Sequence, residues 1–141
     1  RNDHKRKWNG VSLGELSIKH LELNHVPPAV YGTISLIDVL WLDNGNNIVS
    51  GFEVEKSTTI YSGILRLNDL SLSIEKDCRL YLVAPEKREK EIQAQLLRPS
   101  FKKAESVPIS YILFKDLRCD CDAMCKFGNG LSVLDKISKS V

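Results

Sequence analysis

The sequence predicts an α/β domain in which a central mixed β-sheet is flanked by α-helices. Three observations lead to this fold class. Short apolar runs typical of buried strands alternate with longer segments that have the apolar spacing of helices. The turn signal Asn44-Gly45 joins the first two runs into a β-hairpin. The resulting order is hairpin, helix, strand, helix, strand and helix, which builds a mixed sheet with helices on its faces.

The first predicted strand runs from Ile34 to Leu42 and has apolar residues on both faces, which is typical of a strand in the middle of a sheet. Asp38 lies within this strand, on the same face as Leu36 and Leu40. An ionised carboxylate between apolar neighbours is costly unless a cation or strong hydrogen-bond donors meet it. Asp38 is therefore the first candidate for a functional residue.

The second predicted strand carries Glu53 and Glu55, whose side chains point the same way because they are two residues apart. If the hairpin register places Asp38 beside Gly51 or Glu53, three carboxylates share one face. Like charges that close raise one another's pKa unless a cation is bound. Oxygen-only ligands suit Mg²⁺ or Mn²⁺ rather than zinc. The alternative is an ordinary solvated face of the strand, which does not account for Asp38.

A helix is predicted next, capped by Ser57 or Thr58 and packed through the apolar stripe of Ile60, Ile64 and Leu67. Tyr61 and Arg66 lie off this stripe. An arginine at this place could hold a phosphate, and the first turn of the helix presents backbone N–H groups that favour an anion. The alternative for Arg66 is an ion pair with Asp69 along the helix.

The rest of the chain predicts two more strands and three more helices. They are a strand at Cys78–Ala84, a helix at Glu86–Leu97 whose Ile92, Leu96 and Leu97 face the core, a strand at Val107–Phe114, a helix from Leu117 to Gly128, and a short helix from Leu131 to the end. Between them, Arg98, Lys102 and Lys103 flank Phe101 in a loop that could contact a nucleic-acid backbone.

The segment 1–30 is predicted to be irregular, with either a short strand or a turn-rich piece within Val11–Ile18, and 31–141 is predicted to be the core domain. The basic residues from His4 to Lys7 read as a solvated terminus, with phosphate contact as the alternative. The chain of 141 residues suits one domain with a real core. Because it begins at Arg1 and its only methionine is Met124, we expect a fragment of a longer protein.

Composition excludes several classes of protein. No apolar run approaches the roughly 18 residues that a membrane-spanning helix needs, and no signal sequence is visible, so we expect a cytoplasmic protein that does not bind membranes. The net charge of +2 permits a local basic groove without predicting nucleic-acid binding by itself. No glycine-rich phosphate loop occurs, and the three histidines precede the core, so a Cys–His or Ser–His nucleophile has no support.

The cysteines near the end of the chain do not form a metal cluster. Cys119, Cys121 and Cys125 lie on one predicted helix at spacings from which three side chains cannot converge on one ion. Cys121 and Cys125 instead fit the buried stripe of that helix. Disulfides are not expected in a sequence that reads as intracellular.

The pattern of Asp38 followed by Glu53-Val54-Glu55, on two adjacent strands that lead into a helix, resembles the PD-(D/E)xK nuclease superfamily. More narrowly, the sequence is similar to a group of bacterial restriction-endonuclease-like proteins. The similarity runs from about Asp3 to Gly128, and its most specific part extends from FEVEKST to RLNDL. The resemblance implies a restriction-endonuclease-like core. It matches Asp38 to the first acid, Glu53 to the second, and Glu55 to the place usually held by lysine.

Three departures accompany this resemblance. Glu55 replaces the lysine that orients the attacking water, as it does in some restriction enzymes. Ile37 stands where the superfamily usually has proline. The superfamily core usually opens with a helix, and none is predicted before the first strand, which again indicates a fragment.

The resemblance implies a metal-dependent endonuclease of a restriction or defence protein, with DNA as substrate and Mg²⁺ or Mn²⁺ as cofactor. Asp38, Glu53 and Glu55 would be catalytic and ligate the metal, while Thr58, Tyr61 and Arg66 would contact the substrate. Partners other than DNA would be further domains of the same protein and, as an open option, a second copy in a homodimer. The alternative is a nuclease-like domain without activity, kept for DNA binding or assembly, which the missing lysine favours.

Overall fold

A computed structural model describes residues 4–21, 23, 26–74, 78–102, 107–120 and 131–141. The strands in these ranges are β1 (Lys7–Trp8), β2 (Val11–Ser12), β3 (Val39–Leu42), β4 (Ile48–Val54), β5 (Arg79–Ala84) and β6 (Ile109–Leu113). The helices are α1 (Pro28–Ile34), α2 (Ile60–Ser73), α3 (Glu89–Leu96), α4 (Pro99–Lys102), α5 (Phe114–Cys119) and α6 (Leu131–Ile137), with a 3₁₀ turn at Glu86–Arg88 before α3.

The main sheet has the strand order β3-β4-β5-β6 and is mixed. β3 runs antiparallel to β4 through the predicted hairpin, whereas β4, β5 and β6 are mutually parallel. Parallel neighbours need crossover connections, and α2 and α3 lie in the two crossovers of this sheet. The predicted fold class, a mixed α/β sheet flanked by helices and compatible with a restriction-endonuclease-like core, is confirmed.

The two faces of the sheet are covered by different helices. One face packs against α1, α2 and α3, through a core that includes Ile34, Leu67, Leu80 and Ile92. The other face packs Phe52, Tyr81, Val83 and Ile112 against Leu134 and Ile137 of α6. Each strand of a sheet that is covered on both sides must be apolar on both faces. A polar side chain on such a strand therefore has to find its partners within the protein.

The prediction of where the first strand begins is wrong. Residues Pro28–Ile34 form helix α1, which Pro28 opens at the first helical position, and β3 starts only at Val39. Asp38 therefore directly precedes a strand and does not lie in the middle of one. The strand is also an edge strand, in which Val39 is 42% exposed, and Leu36 before it is 58% exposed. The apolar residues before it, Ile34 and Ile37, are also buried, but Ile34 belongs to helix α1 and Ile37 to the turn that follows this helix.

Helix α1 also corrects the expectation that no helix precedes the strands. The segment before it is not wholly irregular, because β1 and β2 pair in a small antiparallel hairpin. The turn of this hairpin is formed by Asn9 and Gly10, which both have positive φ. The strand expected within Val11–Ile18 is thus present, but only as Val11–Ser12.

The later elements agree with the prediction apart from their ends and two further points. Helix α2 is preceded by Thr59, whose side chain makes no capping hydrogen bond, so the cap predicted at Ser57 or Thr58 is wrong. Phe101, predicted to lie in a loop, belongs to helix α4. The predicted helix at Glu86–Leu97 is the 3₁₀ turn followed by α3, and Leu97 is 47% exposed rather than in the core. The helix expected from Leu117 begins earlier, since α5 starts at Phe114. The predictions for Lys103, Cys121, Met124, Cys125 and Gly128 fall outside the described residues.

Of the helices that the structure describes, none combines the length and the apolar character needed to cross a bilayer.

Candidate active site

The hairpin register brings Asp38 to the second predicted acid. Val39 pairs with Phe52 and Leu40 pairs with Gly51, so the same register continued by one residue places Asp38 opposite Glu53. The carboxylate of Asp38 is exposed at the sheet edge, where its Oδ2 accepts a hydrogen bond of 2.8 Å from the backbone N–H of Val54. Asp38 is thus tied to the end of β4 although it lies outside β3.

Glu53 is fully buried on the face of β4 that packs against α2. Its two carboxylate oxygens accept hydrogen bonds from Arg66 in a bidentate pair, with Nε 2.8 Å from Oε1 and Nη2 2.6 Å from Oε2. Burial nevertheless raises the pKa of Glu53 to about 7, because desolvation outweighs the favourable effect of the guanidinium. The neighbouring charges of Asp38 and Glu55 raise this pKa further.

Glu55 is also buried, with 1% of its surface exposed, directly after the end of β4. The hydroxyl of Thr58 donates to its Oε2, and Nη2 of Arg66 lies 3.8 Å from its Oε1. Gly63 lets α2 approach this closely. A Cβ at position 63 would lie 2.6 Å from Oε1 of Glu55 and 3.3 Å from Cβ of Glu53. Both glutamates are therefore covered by the second turn of α2.

An arginine that the sequence analysis did not single out holds the loop between β4 and α2. Nη1 of Arg88 donates to the carbonyl oxygens of both Glu55 and Thr58, at 2.8 Å each, while Nε and Nη2 are paired with Glu91. The backbone N–H of Glu55 donates to the carbonyl of Val83 on β5. In the sequence, Arg88 belongs to an alternating charge run that is typical of a solvated helix face, so no local signal indicates this contact.

The three predicted substrate contacts have different surroundings. Thr58 is bound to Glu55, and Arg66 is paired with Glu53 instead of Asp69, so the helical ion pair considered as an alternative is not the one formed. Tyr61 is 40% exposed. Its ring lies 5.5 Å from the ring of Phe101 and 5.5 Å below the guanidinium carbon of Arg98. Thr58 and Arg66 thus belong to the acidic site, whereas Tyr61 belongs to the neighbouring surface around α4.

The donors present fit a hard divalent cation in their chemistry. Asp38, Glu53 and Glu55 supply only carboxylate oxygens. Of the described guanidinium groups, that of Arg66 lies among these carboxylates, while that of Arg88 is paired with Glu91 and contacts the backbone carbonyl of Glu55. The site therefore carries a net negative charge when all three carboxylates are ionised. Arg66 uses one lone pair of each Glu53 oxygen, and a carboxylate has about four. In the described ranges, no three His, Cys, Asp or Glu side chains are already arranged around one metal position.

The sequence matches a known protein family over its whole length. The family described as the type II restriction enzyme NmeDI C-terminal domain matches residues 1–141, which is the whole sequence. No curated protein and no solved structure gives a significant match.

Proposed function

Because the chain belongs to the family of the type II restriction enzyme NmeDI C-terminal domain, we propose that it is a PD-(D/E)xK-type domain that hydrolyses DNA phosphodiester bonds. The observation that carries the proposal is the burial of Glu53 and Glu55 at the end of β4, with one guanidinium between them and Asp38 beside them. Buried carboxylates in excess of their cationic partners are costly to folding. Strongly perturbed carboxylates are characteristic of functional sites.

The acids are proposed to act as the Glu-x-Glu form of the superfamily site. Asp38 and Glu53 would hold Mg²⁺ or Mn²⁺, and Glu55 would be a further ligand or the proton acceptor for the attacking water. Such an ion, when bound, supplies charge stabilisation at the phosphate and makes water more acidic. Since Arg66 is 26% exposed and adjacent to both glutamates, its guanidinium is available to a phosphate that approaches from solvent.

The protein's own residues contribute the geometry of this site. Arg88 fixes the loop that carries Glu55 and Thr58, and Gly63 allows α2 to exclude water above the two glutamates. With a pKa of about 7, Glu53 is near the midpoint of its titration at neutral pH. A bound cation would favour the ionised form of this carboxylate and lower its pKa.

A second function is favoured by one observation. Arg66 already lies beside Glu53 and Glu55, close to the position at which members of the superfamily usually have a lysine. A guanidinium held by both oxygens of Glu53 would also stabilise a domain that has no activity and serves DNA binding or assembly within a longer restriction enzyme. The two functions differ in whether divalent metal changes what the protein does to DNA.

Nicking of supercoiled plasmid DNA separates the two functions. We expect the protein to relax the plasmid with Mg²⁺ or Mn²⁺, to be inactive with a chelator, and to lose activity by at least about a hundredfold in Asp38→Ala. Asp69→Ala is the matched control, since Asp69 is an exposed carboxylate on α2 outside the acidic site. Absence of metal-dependent nicking by the wild-type protein, or equal activity of both variants, would contradict the catalytic proposal and leave the non-catalytic one.

A further inference from the structure

Three lysines lie at the edge of the sheet where the parallel strands end. β4 ends at Val54, β5 at Ala84 and β6 at Leu113, and each of these ends is followed within three residues by an exposed lysine. These are Lys56, Lys87 and Lys115, which we call the lysine edge. Because parallel strands end at the same side of a sheet, the topology brings together three cations that are far apart in the sequence.

The acids near this edge already have cationic partners of their own. Glu86 is 3.6 Å from Arg118, and Lys139 is 3.0 Å from Glu89 and 3.7 Å from Asp116. In contrast, none of the ion pairs found among the described residues includes a lysine of the lysine edge. Three exposed positive charges that form no ion pair among the described residues therefore lie at one side of a protein whose net charge is only +2, although the charge of Lys115 also helps to lower the pKa of Glu86 and Glu89.

The spacing of these lysines suits a phosphate backbone. Adjacent strands are ~4.8 Å apart, so three strand ends cover about 10 Å, which corresponds to about three phosphates along one strand of B-DNA. Lys56 follows Glu55 directly in sequence. A DNA strand that lies along the lysine edge would consequently pass the acidic site.

We propose that the lysine edge binds the sugar–phosphate backbone of DNA and places it against the acidic site. The inference rests on DNA being the partner, as in the proposed function, but it does not require that the protein cleave DNA. Lysine contacts to phosphate do not depend on base sequence, so this surface supplies affinity and orientation. Recognition of a particular sequence would come from elsewhere.

Salt-dependent binding of a fluorescein-labelled DNA duplex, measured by anisotropy in the presence of EDTA, tests the proposal without any cleavage. The test variant carries Lys56→Gln, Lys87→Gln and Lys115→Gln. The control variant carries Lys19→Gln, Arg79→Gln and Lys136→Gln, which change three exposed basic residues elsewhere, and Arg79 lies at the beginning of β5, at the opposite end of that strand from the lysine edge. Both variants lose three charges, so bulk electrostatics affect them equally. Thermal unfolding followed by circular dichroism verifies that both are folded.

Each phosphate contact contributes about 0.9 to the slope of log affinity against log salt. We therefore expect the slope of the test variant to be about 2.7 smaller in magnitude than that of the wild-type protein, and the slope of the control variant to be almost unchanged. Between about 50 and 200 mM salt, the wild-type protein would then lose about 40-fold more affinity than the test variant. Equal slopes for both variants, or an unchanged slope in the test variant, would overturn the proposal, as would tighter binding of an RNA duplex than of DNA.

The outcomes also separate this inference from the proposed catalysis. If the test variant shows the lower slope while the wild-type protein never nicks plasmid, the lysine edge is supported and the catalytic proposal is wrong. If the wild-type protein nicks plasmid with metal and the slope of the test variant is unchanged, the lysine edge is wrong and catalysis stands. No binding of DNA by the wild-type protein would overturn both.

Discussion

Two glutamates of this domain, Glu53 and Glu89, each accept a hydrogen bond from a basic side chain, yet the pKa values of their carboxyl groups are shifted in opposite directions. Glu53 is fully buried and receives two hydrogen bonds from Arg66, and its pKa is raised to about 7. Glu89 is 30% exposed and accepts hydrogen bonds from Lys139 at 3.0 Å and from the hydroxyl of Tyr111 at 3.1 Å. Those two donors lower the pKa of Glu89.

The comparison teaches that the extent of desolvation decides whether a cationic partner can keep the pKa of a carboxyl group low. Arg66 supplies a better hydrogen-bond geometry than Lys139, because a guanidinium binds a carboxylate through two parallel bonds. Even so, the cost of burial beneath α2 exceeds that gain at Glu53. An ion pair buried in this way gives little net stability, because the desolvation penalty offsets the attraction between the charges. Carboxyl groups with strongly raised pKa values are characteristic of functional sites, which supports the proposed function of Glu53.

The largest expected effect comes from removing the buried cation. Arg66→Leu would leave Glu53 buried without its partner, and we expect the free energy of unfolding at pH 8 to fall by about 3–5 kcal/mol. Lys139→Met is the matched control in the exposed pair and should have a much smaller effect, since surface pairs contribute little. Urea denaturation of both variants and the wild-type protein measures the difference.

The same pair of variants can contradict the comparison. If Arg66→Leu and Lys139→Met cost the same, burial does not distinguish the two glutamates. Repeating the measurement at pH 5.5 gives a further check. Glu53 can then take up a proton in the variant, and the loss caused by Arg66→Leu should be smaller than at pH 8.

The second expected effect is a dependence of stability on pH with an unusual sign. The folded pKa of Glu53, about 7, lies above its ordinary value of 4.5. Between these values the folded protein holds a proton that the unfolded chain has lost, so this group stabilises the fold less as the pH rises through about 7. The penalty is complete above pH 7 and absent below 4.5, and its size is about 3 kcal/mol.

Comparison of the wild-type protein with Glu53→Gln between pH 5 and 8 isolates this contribution. The wild-type protein should lose stability relative to Glu53→Gln as the pH increases. Glu89→Gln should show no such trend between pH 5 and 8, because the lowered pKa of Glu89 gives stability that is fully present above its ordinary value of 4.5 and is lost only as the pH falls below that value. Parallel trends for the two variants would contradict the comparison.

The order of elements could be predicted from the sequence because each parallel strand is a short apolar run and the turn signal Asn44-Gly45 separates the first two runs, although the residue with positive φ in that turn is Asn46. The beginning of the sheet could not. Ile34 and Ile37 are buried just as strand residues would be, but they reach the core from helix α1 and from the turn after it. Periodicity over a short apolar run does not distinguish these cases, and only packing against α2 decides between them.

The proximity of Asp38, Glu53 and Glu55 could be predicted from the hairpin register and from the spacing of the two glutamates, although Asp38 precedes β3 and Glu55 follows β4. Their partners could not be predicted in the same way. The pairing of Arg66 with Glu53 links residues 13 positions apart on a strand and a helix, and Arg88 reaches the loop after β4 from 33 positions away. Such contacts depend on how α2 and α3 pack against the sheet, which no local spacing encodes.

The smallest expected effect tests how closely α2 covers the buried glutamates. Gly63→Ala would place a Cβ 2.6 Å from Oε1 of Glu55, so the carboxylate or the helix must move. Although alanine has the better helix propensity, we expect a net loss of about 1–2 kcal/mol, as is usual for an overpacked site. Gly32→Ala on α1 is the matched control. Its Cβ would meet no atom within 4 Å, so it should gain about 0.5–1 kcal/mol. A gain of equal size from both substitutions would mean that α2 leaves Glu55 open to solvent, and the contrast between a buried and an exposed glutamate would then rest on Glu53 alone.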